Sequence, residues 1–217
     1  MPSTQEWQLQ KLNAATSELL DELGSVATAA FQGDELSKVL IGGDWSNLYP
    51  LLRATIGAER IVGEHWIATI DQKVVGYAGW FPPGRLLMDS PDQAEAGFNE
   101  FVKSMPAELA RWWKEYFLPK GDEVPTIAYG KDKKKSIWNL QTLCVLPELQ
   151  GRGIGHSLLE VKEKDILANS TVSEMSVESA TLKTTELYKY WGFEEKGKFH
   201  FESDVGEFDQ WCLYKKL

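Results

Sequence analysis

Between Val145 and His156 the chain packs Gly151, Gly153 and Gly155 into five residues, directly after a β-rich run stopped by Pro147 and directly before an amphipathic helix pattern. That order, strand then glycine turn then helix, narrows the possible folds more than any other stretch. Proline ends a strand ladder because it has no N–H to donate. Glycines let the backbone approach a ligand and turn its N–H groups toward one point. The positive end of the helix dipole faces the same point, so the segment suits an anion such as a pyrophosphate, with Arg152 adding charge. Two familiar glycine loops do not fit. A nucleotide P-loop needs Lys and then Ser or Thr after its last glycine, but His156 and Ser157 follow Gly155. A dinucleotide fingerprint needs a third glycine three residues after the second, and Leu158 holds that place.

The periodicity on either side predicts a mixed α/β domain on one sheet. A first strand is expected over residues 6–12, helices over 15–31 and 45–56, and strands over 61–70 and 73–81 joined by the turn Asp71-Gln72. Phe98, Phe101 and Met105, then Leu109, Trp112, Trp113 and Tyr116, give a helical pattern from Pro91 to Leu118 with a break at Pro106. Further strands are expected over 136–146 and 173–178, helices over 154–167 and 184–190, and a closing antiparallel pair over 192–202 and 208–214. The Lys131–Lys135 run reads as a solvated turn. No internal repeat is visible, and 217 residues suit one domain, 1–217, with a helical insertion at about 84–125.

Composition excludes several classes. A net charge of −9 leaves no broad basic surface for nucleic acid, and no apolar run reaches a membrane span. Cys144 and Cys212 lie in strand-like apolar runs without a cluster of metal ligands, so reduced buried thiols and no metal site are expected. The segment Met1–Gln10 lacks the basic and apolar regions of a targeting signal, which makes a cytoplasmic location the expectation.

Gln150, Gly153 and Gly155, preceded by Val145-X-Pro147, fill the cofactor motif of the GCN5-related N-acetyltransferases (GNAT). Leu187-Tyr188-Lys189-Tyr190-Trp191-Gly192-Phe193 resembles the same family's Leu-Tyr-X-X-X-Gly-Phe signature. The resemblance is specific over about 137–198. It implies one central, mostly antiparallel sheet with a splayed cofactor strand, helices on both faces and the insertion between the third and fourth strands. It also implies acetyl-coenzyme A as acyl donor and an amine acceptor. Main-chain groups of Leu143 and Val145 would hold the pantetheine arm, and N–H groups of Gly151, Arg152, Gly153, Ile154, Gly155 and His156 the pyrophosphate, with the Gln150 and Arg152 side chains assisting. His156 itself reads as an exposed first-turn residue.

For the chemistry, Tyr188 is the candidate donor to the departing thiolate, since a phenol and an alkyl thiol have similar pKa values. The Val145 N–H could support the oxyanion. Glu178, at the end of the neighbouring strand, is the candidate base, and Asn139 and Gln141 are candidates to orient substrate. Tyr190 is a weaker candidate, Leu187 and Phe193 read as core, and His65 and His200 as ordinary strand residues. Where many relatives have Asn at the start of the short helix this chain has Thr184, able to cap the helix and offer one hydroxyl to the cofactor. The competing readings are a non-catalytic acyl-coenzyme A sensor and a protein-interaction domain using the aromatic insertion. The acceptor is not read from the sequence, and a homodimer stays open.

Overall fold

The computed structural model describes residues 6–217. Residues 1–5, the start of the segment read for a targeting signal, lie outside the described residues. Among those described, seven strands form one sheet in the order β1-β2-β3-β4-β5-β7-β6. They are β1 (Gln8–Lys11), β2 (Glu64–Ile70), β3 (Lys73–Phe81), β4 (Trp138–Val145), β5 (Glu174–Ser179), β6 (Glu194–Ser203) and β7 (Gly206–Lys216). Every neighbouring pair is antiparallel except β4 and β5, which run parallel. The β2–β3 turn places Asp71 and Gln72 at φ of 49° and 66°, the two positive values that match a two-residue turn to the strand twist. After Lys73 every residue of β3 is buried, so it shows no alternation: it lies inside the sheet with helices over both faces.

One face carries α1 (Ser17–Phe31) and α3 (Leu48–Val62), whose Leu20, Leu23 and Ile56 pack with Ile67, Tyr77 and Cys144 of the sheet. The other carries α8 (Ile154–Asn169) and α9 (Leu182–Tyr190), where Ile154, Leu158, Leu159 and Tyr188 meet Val75, Ala78, Leu140 and Val145. A short helix that the periodicity does not announce, α2 (Glu35–Leu40), is nucleated by Asp34, whose carboxylate accepts from the Ser37 N–H at 2.8 Å. The expected strand start at Ile61 and Val62 is instead the last turn of α3, which runs on to Gly63. No helix among the described residues is long and apolar enough to cross a membrane.

The segment between β3 and β4 is helical, as expected: α4 (Pro91–Gln93), α5 (Asn99–Ser104), α6 (Ala107–Trp112) and α7 (Leu118–Tyr129), with a kink at Gly97 (φ 146°) between α4 and α5 and a π-helical turn at Trp113–Phe117. Pro106 breaks it at the start of α6, but Pro125 lies inside α7 and the helical segment ends only at Tyr129. Its apolar face is buried. Phe98, Phe101, Leu109 and Trp113 pack on Ile41, Leu48, Leu51 and Ala54, and the Trp113 indole donates to the Leu40 carbonyl at 2.9 Å. Backbones meet closely here: a Cβ on Gly57 of α3 would collide with the Ala96 carbonyl oxygen. Trp112 donates to the Glu202 carbonyl at 2.8 Å and the Tyr116 hydroxyl accepts from the Glu202 N–H at 3.1 Å, so the same segment is tied to the β6–β7 hairpin.

Candidate active site

β4 and β5 pair only at Trp138↔Met175, Asn139↔Ser176 and Leu140↔Val177. Beyond that point each strand keeps its other neighbour, β4 pairing with β3 as far as Gly76↔Val145 and β5 with β7 as far as Ser179↔Trp211. The two halves of the sheet therefore part. A bulge sits at the point of parting: Gly79 pairs with Thr142 and Trp80 with Leu140, leaving Gln141 as an extra residue that bends β4. The stretch from Gln141 to Val145 thus presents an unpaired edge to the gap, the splay that the family resemblance implies.

The gap leads to the glycine turn. Gly151 and Gly153 have φ of 74° and 96°, in the left-handed region that side chains disfavour. Among the described residues a Cβ on Gly151 would meet nothing within 4 Å, and one on Gly153 only the Trp7 ring at 3.9 Å. α8 starts at Ile154, and among the described residues no side chain caps it. Its first N–H groups are left for water or an anion, in a helix long enough to carry a dipole. The Gln150 amide donates to the Val145 carbonyl at 3.1 Å and Arg152 to the Glu148 carbonyl at 3.2 Å. Gln150 thereby ties the turn to the end of β4, and Arg152 ties it to Glu148 at the start of the turn. The residues present fit an acyl-coenzyme A: an unpaired strand edge for an amide-bearing arm, then an uncapped helix end for phosphates.

Leu143, Val145, Ile154 and Tyr188 come together in one apolar cluster under α8 and α9. Tyr188 stands edge-on to Trp191 and Phe193, each 5.5 Å away, and Trp191 meets the exposed His156 ring at 5.3 Å. Burial pushes the Tyr188 hydroxyl well above the ordinary phenol range, so it stays protonated at neutral pH and is a donor rather than a base. Phe193 is core as expected, but Leu187 is 43% exposed, because α9 turns Thr185 and Tyr188 inward. Thr184 is not the cap either: Thr181 is, accepting from the Thr184 N–H at 3.1 Å. The Thr184 hydroxyl lies 2.5 Å from that of Ser179 and 2.7 Å from that of Thr181, and is engaged within its own turn.

On the opposite face, Glu178 is the first β5 residue past the last β4 pair. It is no freely solvated carboxylate: Lys134 Nζ lies 2.9 Å from its Oε1, and the Tyr129 hydroxyl donates to it at 3.3 Å. The lysine run is accordingly only partly a solvated turn, since Lys133 also pairs with Glu174 at 2.8 Å. Asn139 is buried and fully engaged, donating to the Lys134 and Ile137 carbonyls and accepting from Ser176, which removes it as a substrate-orienting residue. Cys144 and Cys212 are buried free thiols pushed up by desolvation, Cys212 to about 12, so neither is a nucleophile at neutral pH. His200 is a surface strand residue beside Asp209 at 3.0 Å.

One polar cluster escapes sequence reasoning. Glu59, at the end of α3, is completely buried, with Thr142 of β4 donating to Oε1 at 2.7 Å and His65 Nε2 at 3.0 Å from Oε2. Gly79 makes room for it, since a Cβ there would strike the carboxylate. The Tyr77 side chain is fully buried beside the same cluster. His65 is therefore not an ordinary strand residue but the partner of a buried acid, and its only sequence signal, a lone His opening a strand, is far too common to reveal this. Among the described residues no cluster of His, Cys, Asp or Glu could hold a metal.

An open sheet parted between two parallel strands, with a glycine turn entering a helix at the parting, defines an acyltransferase architecture. Residues 114–195 match the sequence model of the acetyltransferase (GNAT) domain. Over that segment the chain is similar to the GNAT acetyltransferases. No curated protein matches the sequence significantly. Solved structures with the same fold include the Drosophila melanogaster polyamine N-acetyltransferase, an enzyme that forms N-acetylagmatine (13% identity, covering 98% of this chain and 100% of that one, TM-score 0.64). The arylalkylamine N-acetyltransferase 2 of Aedes aegypti (16%, 97% and 99%, 0.64) and a Corynebacterium glutamicum protein described as histone acetyltransferase HPA2 and related acetyltransferase (19%, 96% and 96%, 0.60) share it as well.

Proposed function

We propose that the chain transfers the acetyl group of acetyl-coenzyme A to a primary amine of a small molecule or protein by direct attack. The observation that carries this reading is the unpaired half of β4 running straight into an uncapped, glycine-opened helix end. The amine acceptors named for the Drosophila and Aedes enzymes support the acceptor class. Acetyl-coenzyme A supplies the activated acyl group as a thioester. Main-chain groups of Leu143 and Val145 bind the arm, the N–H groups from Gly151 to His156 bind phosphate, and Gln150 and Arg152 hold the turn in shape. The Tyr188 hydroxyl donates toward the departing sulfur. Because burial raises that hydroxyl, Tyr188 works mainly as a hydrogen-bond donor, and full transfer of its proton is costly. Glu178 meets the incoming amine on the other face.

The test is thermal. Saturating acetyl-coenzyme A should stabilise the fold by roughly 2–4 kcal/mol. Gly153→Val should abolish that shift, and Gly33→Val is its control. Gly33 has φ of 85° and, among the described residues, nothing within 4 Å of an added Cβ, so it carries a similar backbone penalty away from the turn. Undiminished stabilisation in Gly153→Val would remove the turn from the binding site. A retained shift with no transfer to any amine would instead favour a non-catalytic sensor.

A further inference from the structure

Lys134 places an amine where the acceptor of the proposed reaction would need one. β5 loses β4 after Val177, so Glu178 stands at the apex of the gap, opposite the bulged Gln141. An arm that enters from the glycine turn and follows the β4 edge back from Val145 ends at that apex with its acyl group. Glu178 and Ser176 lie two apart on β5, and Ser176 donates to Asn139 on the face opposite α8. Lys134 reaches this point from the turn between α7 and β4, with Nζ 2.9 Å from Glu178 and the side chain 21% exposed. Its backbone is fixed as well, because the Asn139 amide donates to the Lys134 carbonyl at 2.9 Å. Tyr129, at the end of α7, donates to the same carboxylate. A surface ion pair needs no such framework.

We infer that Lys134 is a self-acetylation site, an internal amine presented to the bound acyl donor by Glu178. The inference rests on the acetyl-coenzyme A reading above. The Lys134 ammonium gives one proton to Glu178 or to solvent, and the freed amine attacks the thioester carbonyl. The C–N bond forms, the C–S bond breaks, and the second nitrogen proton ends on the departing thiolate. The products are N-acetyl-lysine, coenzyme A and one released proton. Acetylation removes the cation from Glu178 and frees that carboxylate for an external ammonium.

The full chain is incubated with acetyl-coenzyme A, and acetylation of each lysine is followed by peptide mass spectrometry. Lys103 and Lys164, at 69% and 71% exposure, report the uncatalysed background. Lys134 should be acetylated at least about tenfold faster than either, at a rate independent of protein concentration, as expected for an amine held in place. Coenzyme A without an acyl group should slow labelling of Lys134 by an amine-reactive anhydride and leave Lys103 and Lys164 unchanged. Glu178→Gln should slow self-acetylation, and Lys134→Arg should leave no fast site while keeping the thermal shift with acetyl-coenzyme A. A normal thermal shift with Lys134 reacting no faster than Lys103 and Lys164 would overturn the inference and leave the proposed function standing. Loss of the shift itself would overturn both.

Discussion

At the scale of single residues, two side chains carry most of the testable chemistry. Tyr188 has aromatic neighbours on two sides, and among the described residues its hydroxyl has no hydrogen-bond partner. Tyr188→Phe should therefore leave the melting temperature nearly unchanged while turnover falls by about 10²-fold with cofactor affinity retained. Normal turnover in that variant would make Tyr188 a packing residue. Glu59 behaves oppositely. Removing its carboxylate leaves His65 and Thr142 buried without their partner, and such a loss costs about 3 kcal/mol or more. Denaturant titration of Glu59→Ala should show it, and Glu59→Gln, which keeps an acceptor for Thr142, should cost less. A loss below about 1 kcal/mol for the alanine variant would mean that water reaches the cluster. Glu178 and Tyr188 could be named from the sequence because each lies at a recognisable place, a strand end and a motif. Glu59 could not, since nothing in a helix pattern tells which of its polar residues will be covered by a sheet.

Among the elements, the insertion is the one whose role changes most once its packing is seen. Its aromatics were legible as an apolar helical face, and that face is spent on α3 and on the neighbourhood of α2. Replacing residues 84–125 by a short linker should therefore unfold or strongly destabilise the chain rather than leave a binding-competent core. Such a cut would also sever α7 before Tyr129. Gly57→Ala offers a finer test. Alanine favours a helix over glycine by up to ~1 kcal/mol, but here its Cβ meets the Ala96 carbonyl, and such overpacking costs about 1–3 kcal/mol. The contact should win, and a lower denaturant midpoint should result. A midpoint that rises would show that the insertion backbone gives way easily. Phe98→Ala or Trp113→Ala should be costlier still, at about 3–5 kcal/mol.

Over the whole molecule the charge balance makes acid the natural denaturant. Lys133, and then Tyr214, hold Glu174 below its ordinary range, Lys198 and His200 do the same for Asp209, and Arg85 for Asp89. A carboxylate depressed in the folded state contributes stability that is complete above its unfolded pKa, about 4, and is lost as pH falls through the folded value. The melting temperature should thus hold near pH 6 and drop steadily below about pH 4. Glu174→Gln should flatten part of that drop, by no more than about 1 kcal/mol since the pair is partly solvated. An unchanged acid profile in that variant would show that the pair contributes nothing to acid stability.

Local chemistry was enough to predict the strands, the helices of both motifs, the glycine turn and the helical nature of the insertion, because hydrophobic periodicity and backbone-restricted residues act over a few neighbours. It misplaced the end of α3, missed α2, and put Leu187 inside and the α9 cap at Thr184, since one turn of helix decides which side chain faces the sheet. The parting of β4 from β5, the bulge at Gln141, the burial of Glu59 and the meeting of Lys134 with Glu178 depend on residues dozens of positions apart. Those arrangements exist only when the sheet, α3 and the insertion are closed on one another, for burial and ion pairing are set by distance in space and not along the chain.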